Sequence, residues 1–271
     1  MKILKTVLIY ASLTTLLAGC LQVETTINVK KDGSGTINEK VLMSKTFVNM
    51  IKEFAQAFQD SASTEEFVFF KDDEIIADAK DYGDDVKYVS HELIIDDQWE
   101  GFQAVYSFND ITKVRIQPDP DSKVGMGEED ADTATNKEYY FFKFKKGDVS
   151  ELTIDRPDLD FASDSEEDIQ SDTSQQSDEE MGEEALKMME GMKINMALQV
   201  EGQITSTNAS YVEDSKITLM QMDFGEMMKN KESFKEFQNK EPKNIEEMKQ
   251  FLEKFPGMKI EVEKPISVKF K

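Results

Sequence analysis

Two stretches after the first twenty residues alternate between apolar and polar positions in the manner of β-strands. Residues 21–29 have Leu, Val, Thr, Ile and Val at every second position, and residues 36–43 resume an apolar pattern after the sequence Asp32-Gly33-Ser34-Gly35. Alternation of this length is typical of a strand with one buried face, and glycines that accept positive φ favour a tight turn. The pattern therefore predicts a β-hairpin.

Helical spacing follows the hairpin. Ser44 is suited to cap a helix whose apolar residues recur three or four positions apart, at Phe47, Ile51, Phe54, Ala55 and Phe58. We predict further helices over residues 72–82, 183–192 and 245–255, the last ended by Pro256-Gly257.

Strand patterns occupy most of the remaining chain. Because short turns join them, we expect antiparallel pairing and an α+β fold with helices packed on one face of the sheet. The predicted strands cover residues 86–95, 102–108, 112–116, 138–145, 151–154, 194–201, 216–222, 259–262 and 266–270, with the final two forming a closing pair.

One acidic segment interrupts this pattern. Residues 155–184 contain 13 Asp and Glu residues against one Arg and almost no aromatic residue. Such a composition buries too little apolar area to offset the entropy lost on ordering. We predict a disordered insertion within a single domain that spans residues 20–271.

The first nineteen residues have the features of a secretory signal. Lys2 and Lys5 precede an apolar stretch at residues 7–17, which is too short to span a bilayer. The closing Leu17-Ala18-Gly19-Cys20 resembles a bacterial lipobox. That resemblance implies cleavage between Gly19 and Cys20 and attachment of fatty acyl chains such as palmitate at Cys20. An ordinary signal or a buried helix with a chance match is the alternative.

The predicted mature protein begins at Cys20 and is held on a membrane by its lipid anchor. Several acyl chains bind a bilayer far more firmly than one. Since the only thiol would be acylated, we expect no cysteine catalysis. The expected location is the bacterial cell envelope. Leu21, in place of Asp, favours the outer membrane, facing the periplasm, if the cell has two membranes.

The order of these features resembles the LppM-type group of bacterial lipoproteins. The shared features are the lipobox, the immediate strand, the turn at residues 31–36, the following helix and the element at residues 202–209, with Ser206-Thr207-Asn208-Ala209 similar at residue level. The resemblance implies an α+β domain with helices against a curved antiparallel sheet. It implies no catalytic residues, because the group has no established enzyme chemistry.

Composition excludes several classes of function. A formal charge of −23 disfavours nucleic acid as a partner, since phosphate repels an anionic body. One Cys and one His cannot build a Cys/His zinc site or a disulfide framework. Residues 119–121 and 128–132 contain carboxylates that could bind Ca²⁺, but they lack EF-hand spacing, so solvated charge is favoured. We expect no metal and no cofactor.

Three further groups have both a structural and a functional interpretation. His91 alternates with Val89, Leu93 and Ile95 on one predicted face, which favours a core or half-buried histidine over a catalytic base. The helical spacing of Met188, Met189, Met192 and Met196 favours core packing over a Cu(I) site. Residues 139–144 are nearly all aromatic, which favours core burial on one face and leaves open that the other face lines a cavity for a lipid-like ligand.

We therefore expect a non-enzymatic binding or structural module, with a lipid-like or other envelope ligand as its possible partner. The alternative is an envelope hydrolase that uses a pair of carboxylates. The first predicts an apolar pocket, and the second predicts a polar cleft in which two carboxylates converge. Residues 229–271 have 11 Lys against 8 Glu, so we expect this basic region to face the membrane.

Overall fold

The structure is a computed structural model. It describes residues 21–58, 68–118, 139–158, 191–230, 234 and 242–271. The signal segment, Cys20, the two candidate Ca²⁺ segments and most of the acidic insertion lie outside the described residues. So does the predicted helix at residues 183–192, apart from its final two residues.

The described chain contains strands, four helices and two short 3-10 turns. The strands are β1 Leu21–Val29, β2 Gly35–Ser44, β3 Lys87–Ile95, β4 Trp99–Phe108, β5 Arg115–Ile116, β6 Tyr140–Lys145, β7 Ser150–Asp155, β8 Lys193–Val200, β9 Ile204–Thr207, β10 Val212–Glu213, β11 Lys216–Asp223, β12 Met258–Ile260 and β13 Ile266–Phe270. The helices are α1 Lys45–Phe58, α2 Asp72–Ala77, α3 Phe224–Met228 and α4 Ile245–Leu252, and the 3-10 turns are Asp78–Lys80 and Ile111–Lys113.

The larger sheet, sheet A, is built around the predicted hairpin. Its strand order is β10-β11-β8-β1-β2-β4-β3, and β12 pairs with β11. In the hairpin, Leu21 pairs with Met43 and Val29 pairs with Gly35. Gly35 suits this close approach, because a Cβ there would lie 1.8 Å from the Asn28 carbonyl oxygen. The prediction of a hairpin is confirmed.

The smaller sheet, sheet B, has the order β5-β6-β7-β13-β9. β13 lies between β7 and β9, and all the pairings in this sheet are antiparallel. The 202–209 element of the sequence contributes β9 to its edge. Both sheets therefore combine strands that precede the acidic segment with strands that follow it.

The predicted α+β class is confirmed, although the strands divide between two sheets and one pairing is parallel. β8 runs parallel to β1, with Gln22 opposite Lys193. The predicted closing pair is wrong, because β12 joins sheet A and β13 joins sheet B. The predicted strand at 112–116 is wrong over its first half, which is a 3-10 turn.

Apolar side chains from both sheets form one core. Ile27, Ile37 and Ala104 of sheet A and Ile154 and Phe270 of sheet B belong to the same buried cluster. Removal of this much apolar surface from water is the main term that stabilises the fold. A second cluster of Phe and Met side chains, which includes Phe224, Met227, Phe251, Phe255 and Met258, packs α3 and α4 against the end of sheet A.

The helices begin where the sequence places their caps. The Phe47 N–H donates to Ser44 Oγ at 3.3 Å, which confirms the predicted cap of α1. Val48 is the fully buried residue of its first turns. At α4, Glu247 N–H donates to Asn244 Oδ1 at 2.9 Å. α4 ends at Leu252, three residues before the predicted end.

Candidate functional site

The strand directions bring the predicted acylation site to one end of sheet A. β1 begins at Leu21, and its neighbour β2 ends beside it. The end of the sheet that contains the beginnings of β1, β4 and β8 and the ends of β2, β3 and β11 is named the anchor end. Across it, Met43 pairs with Glu100, and Lys193 pairs with Asp223.

The fold starts at the residue that follows Cys20. Leu21 is 6% exposed and already belongs to β1. Since consecutive Cα atoms are about 3.8 Å apart, no linker separates the predicted lipid anchor from the sheet. An acyl chain on Cys20 would therefore hold the anchor end directly at a bilayer surface.

The single tryptophan of the chain lies at this end. Trp99 is half-buried and opens β4, opposite Ser44 on β2. The turn before it is held by Asp96, whose Oδ1 accepts the Gln98 and Trp99 N–H groups, each at 2.8 Å. These two hydrogen bonds lower the pKa of Asp96. These hydrogen bonds therefore hold the backbone of Trp99 at the start of β4.

A cavity of about 260 Å³ opens beside the same end. Lys193 Nζ lies 2.9 Å from Asp223 Oδ2, and Lys229 forms an ion pair with Glu226. Asp223 also caps α3 through the Glu226 N–H at 3.1 Å. Both carboxylates that line the cavity are thus paired with lysines. The lining residues are Lys193, Asp223, Gly225, Glu226, Met228 and Lys229.

Cys20 and Gly19, the predicted lipidation and cleavage residues, lie outside the described residues. Met188 and Met189 do as well. Met196 is buried in the shared core, which confirms core packing for that residue. Within the described ranges, no group of three or more His, Cys, Asp or Glu side chains could hold a metal ion.

His91 is hydrogen-bonded through both ring nitrogens. Nδ1 lies 2.8 Å from the Tyr88 hydroxyl, and Nε2 lies 3.0 Å from Asp72 Oδ1. The histidine is half-buried, as favoured, but the neighbours on its predicted apolar face are not core residues. Leu93 and Ile95 are 43% and 66% exposed. β3 is an edge strand of sheet A, and Asp72 of α2 reaches this face at His91, whereas Leu93 and Ile95 stay exposed.

The aromatic strand β6 buries one face. Tyr140 and Phe142 belong to the shared core, whereas Phe141 is 53% exposed. Beside it, the Arg115 guanidinium lies 5.2 Å from the centre of the Tyr139 ring. The predicted core burial is confirmed for the inner face, and the outer face of β6 forms part of the protein surface at Phe141.

A buried polar cluster is a feature that sequence reasoning missed. Arg156 is 5% exposed, and its Nη2 donates to the Val262 carbonyl at 2.7 Å and its Nη1 to the Pro157 carbonyl at 2.6 Å. Glu261 is fully buried and accepts the Ser210 N–H at 2.5 Å. The cluster joins the end of β7 to the chain between β12 and β13. The available signal was a lone Arg that directly follows a strand in an acidic segment.

A second buried carboxyl lies inside sheet A. Glu39 is fully buried on β2, between Thr25 and Ala104 on its neighbouring strands. Burial raises the pKa of Tyr82 well above its usual value, and the Glu39 charge and a hydrogen bond to Glu39 add to that rise. The sequence signal was an acidic residue at an apolar position of a strand. These groups are enclosed in the core.

Comparison with known proteins gives one structural likeness. No family model and no curated protein matches the chain. The chain is similar to the NMR structure of the folded domain of Mycobacterium tuberculosis LppM, with a TM-score of 0.34 and 10% sequence identity over 94% of this chain and 91% of that chain. LppM gives its name to the group that the sequence resembles. No described helix is long and apolar enough to cross a membrane.

Proposed function

We propose that the chain is an envelope lipoprotein whose acylated Cys20 holds an α+β binding or structural module directly on a membrane. The observation that carries this proposal is the position of Cys20, which closes the lipobox-like sequence and immediately precedes a core strand. In a cell with two membranes, Leu21 after the Cys favours the outer membrane and a module that faces the periplasm.

The polar chemistry of the described residues supports a module that does not catalyse a reaction. The two carboxylates beside the cavity are occupied by Lys193 and Lys229, and Asp223 also caps a helix. A carboxylate pair for hydrolysis needs one acid and one base that face a common substrate. Such a role would require these ion pairs to break.

A lipid-like or other envelope ligand remains part of the proposal. The charged lining of the cavity suits a polar headgroup better than an acyl chain, because burying charged groups against hydrocarbon is costly. The surface around Phe141 and Arg115 offers an apolar and cationic alternative. Lipid extraction from the purified Cys20→Ser protein, followed by mass spectrometry, would identify a bound ligand.

Metabolic labelling with palmitate in the native host tests the anchoring directly. The wild-type protein should incorporate label and sediment with membranes. Cys20→Ser should remain an uncut precursor without label, because the acceptor thiol is missing. Ser12→Ala, within the same apolar segment, is the matched control and should be processed normally. Incorporation of label by Cys20→Ser would overturn the proposal.

A further inference from the structure

We propose that the anchor end lies flat against the bilayer, with Trp99 and Ile95 at the level of the lipid headgroups. This inference rests on acylation at Cys20. It adds which surface of the module meets the membrane and which side chains make the contact. The partner is a phospholipid bilayer.

No flexible tether separates the predicted lipid anchor from the fold. A polar tether of many residues would let a domain rotate freely above the membrane. Here Leu21 is 6% exposed and fixed in the middle of sheet A, between β2 and β8. Because Cys20 adds only about 3.8 Å, the surface around Leu21 has to remain within a few ångströms of the lipid.

The register of the strands beside Leu21 determines how far Trp99 lies along the sheet. Leu21 pairs with Met43, and Met43 pairs with Glu100. Neighbouring strands are about 4.8 Å apart, so Glu100 lies roughly 10 Å across the sheet from Leu21. Trp99 lies one residue further out, about 3.4 Å closer to the bilayer. The register therefore brings Trp99 to the depth of Cys20.

The side chains of Trp99 and Ile95 suit a membrane interface. Tryptophan concentrates at membrane interfaces, where its ring is apolar and its N–H can be hydrogen-bonded. Ile95 pairs with Glu100 at the same end and is 66% exposed, more than any other large apolar residue described. A bilayer interface would remove the apolar surface of both side chains from water.

Charge near the anchor end is partly neutralised. The chain carries −23 overall, and three carboxylates at this end are paired with lysines, whereas Asp96 and Asp97 in the turn between β3 and β4 are exposed. Asp223 pairs with Lys193, Glu226 with Lys229, and Glu100 with Lys52 at 3.5 Å. Local neutralisation lowers the repulsion from anionic lipid that the rest of the molecule would experience.

This placement also changes the expectation for the basic region at 229–271. Met258 pairs with Met222 near the anchor end, so the part with α4 lies on the membrane side. β13 leads the chain away from the anchor end. After it, the Lys271 carbonyl accepts the Gln203 N–H at 2.9 Å at the opposite end of sheet A. Of the described residues in this region, α4 and the beginning of β12 are therefore on the lipid side, whereas Lys271 is on the opposite side.

Depth-dependent quenching of Trp99 tests the inference, because it is the only tryptophan. The acylated full chain is reconstituted into phosphatidylcholine vesicles that contain lipids brominated close to the headgroup. We expect the Trp99 emission to shift to shorter wavelength, to be quenched by these lipids and to lose its accessibility to aqueous acrylamide. Unchanged emission on vesicles that carry the protein would overturn the inference.

The control reporter is the double variant Trp99→Phe with Val149→Trp. Val149 is exposed in the turn between β6 and β7, next to Ser150, whose hydroxyl donates to the Lys31 carbonyl at the far end of β1. Its emission should be unaffected by brominated lipid. Equal quenching of both reporters would overturn the proposed orientation.

Flotation of the vesicles separates this inference from the proposed anchoring. Failure of the wild-type protein to float would contradict acylation at Cys20, and with it both proposals. Flotation without quenching of Trp99 would contradict the orientation alone. Thermal melting of each variant shows whether it is folded. The acrylamide measurement uses the wild-type protein, so it does not depend on whether a variant folds.

Discussion

Leu21 pairs with Met43 at the beginning of the central hairpin, so the residue that follows the predicted acylation site is already a core residue of sheet A. The predicted lipid anchor would therefore be joined to the fold without a linker. Any change of the fold near Leu21 would alter how the module sits on the membrane, and any force on the anchor would act on a central strand.

Removal of the acidic segment should leave one cooperative domain. β8 pairs with β1, and β13 pairs with β7, so each sheet is completed by strands from the far side of the segment. The cost of closing a long loop rises only with the logarithm of its length. Replacing residues 159–184 with a short Gly/Ser linker should preserve a single thermal unfolding transition.

The replacement retains Asp158, because its Oδ1 lies 2.6 Å from Lys264 Nζ. Limited proteolysis of the wild-type chain is the complementary test. Cleavage within the acidic segment should give two fragments that remain associated, since the pairings of β1 with β8 and of β7 with β13 join them. Two fragments that stay folded after separation would show that the chain has two domains.

Arg156 should be important for stability. Its guanidinium donates to the carbonyl groups of Pro157, Val262 and Glu263. Arg156→Met leaves these buried acceptors without donors and should lower the free energy of unfolding by about 2 to 3 kcal/mol. Arg156→Lys should recover little, because one ammonium lacks the planar fork that reaches several acceptors. Urea denaturation measures both effects.

Arg115 supplies the matched control for that experiment. Its Nε donates to the Asp81 carbonyl at 3.1 Å, but the residue is exposed. Arg115→Met should therefore cost less than about 1 kcal/mol, as is usual for surface substitutions. An equal loss for the two variants would mean that burial of Arg156 is not the source of its effect.

Tyr140 should make stability decrease at alkaline pH. Burial raises its pKa to about 12, an effect that Glu261 increases and Arg156 opposes. The folded state thus holds the phenolic proton after an unfolded tyrosine has lost it. This contribution is complete below the unfolded pKa of about 10 and is lost as the pH rises through the folded value.

The Tyr140→Phe variant should be less sensitive to that pH range than the wild-type protein. Its unfolding free energy should fall less between pH about 9 and about 12, by roughly 2 kcal/mol. Tyr139→Phe is the control, because the adjacent tyrosine is only half-buried. Parallel pH profiles for Tyr140→Phe and the wild-type protein would contradict the assignment.

Local features of the fold could be predicted from the sequence. The hairpin of β1 and β2 follows from alternation and a glycine-containing turn, and the start of α1 follows from the cap at Ser44. Each depends on residues that are close in the chain. The helix predicted over residues 72–82 also depends on local residues. It is found as α2 followed by the 3-10 turn Asp78–Lys80.

Long-range features could not be predicted. The parallel pairing of β1 with β8 joins residues more than 160 positions apart, and alternation along a strand does not identify its partner. The division into two sheets has the same cause. The sequence of β3 likewise does not encode which elements pack over its faces, and Leu93 and Ile95 are exposed.

Only part of the candidate site could be predicted from the sequence. The lipobox-like residues 17–20 predict the anchor, because that motif is local. The position of Trp99 at the anchor end, two strands from Leu21, is a consequence of two successive strand registers, β1 with β2 and β2 with β4. The paired charges of Lys193 and Asp223 likewise meet only after β8 and β11 align.

Anchoring through Cys20 can be read from the chemical state of the mature N-terminus. The protein is isolated from host membranes, digested with trypsin and examined by mass spectrometry. We expect a first peptide spanning residues 20–30, with Cys20 carrying a diacylglyceryl group and no peptide from residues 1–19. A mature chain that keeps residues 1–19, or one that begins at Cys20 with an unmodified thiol, would contradict it.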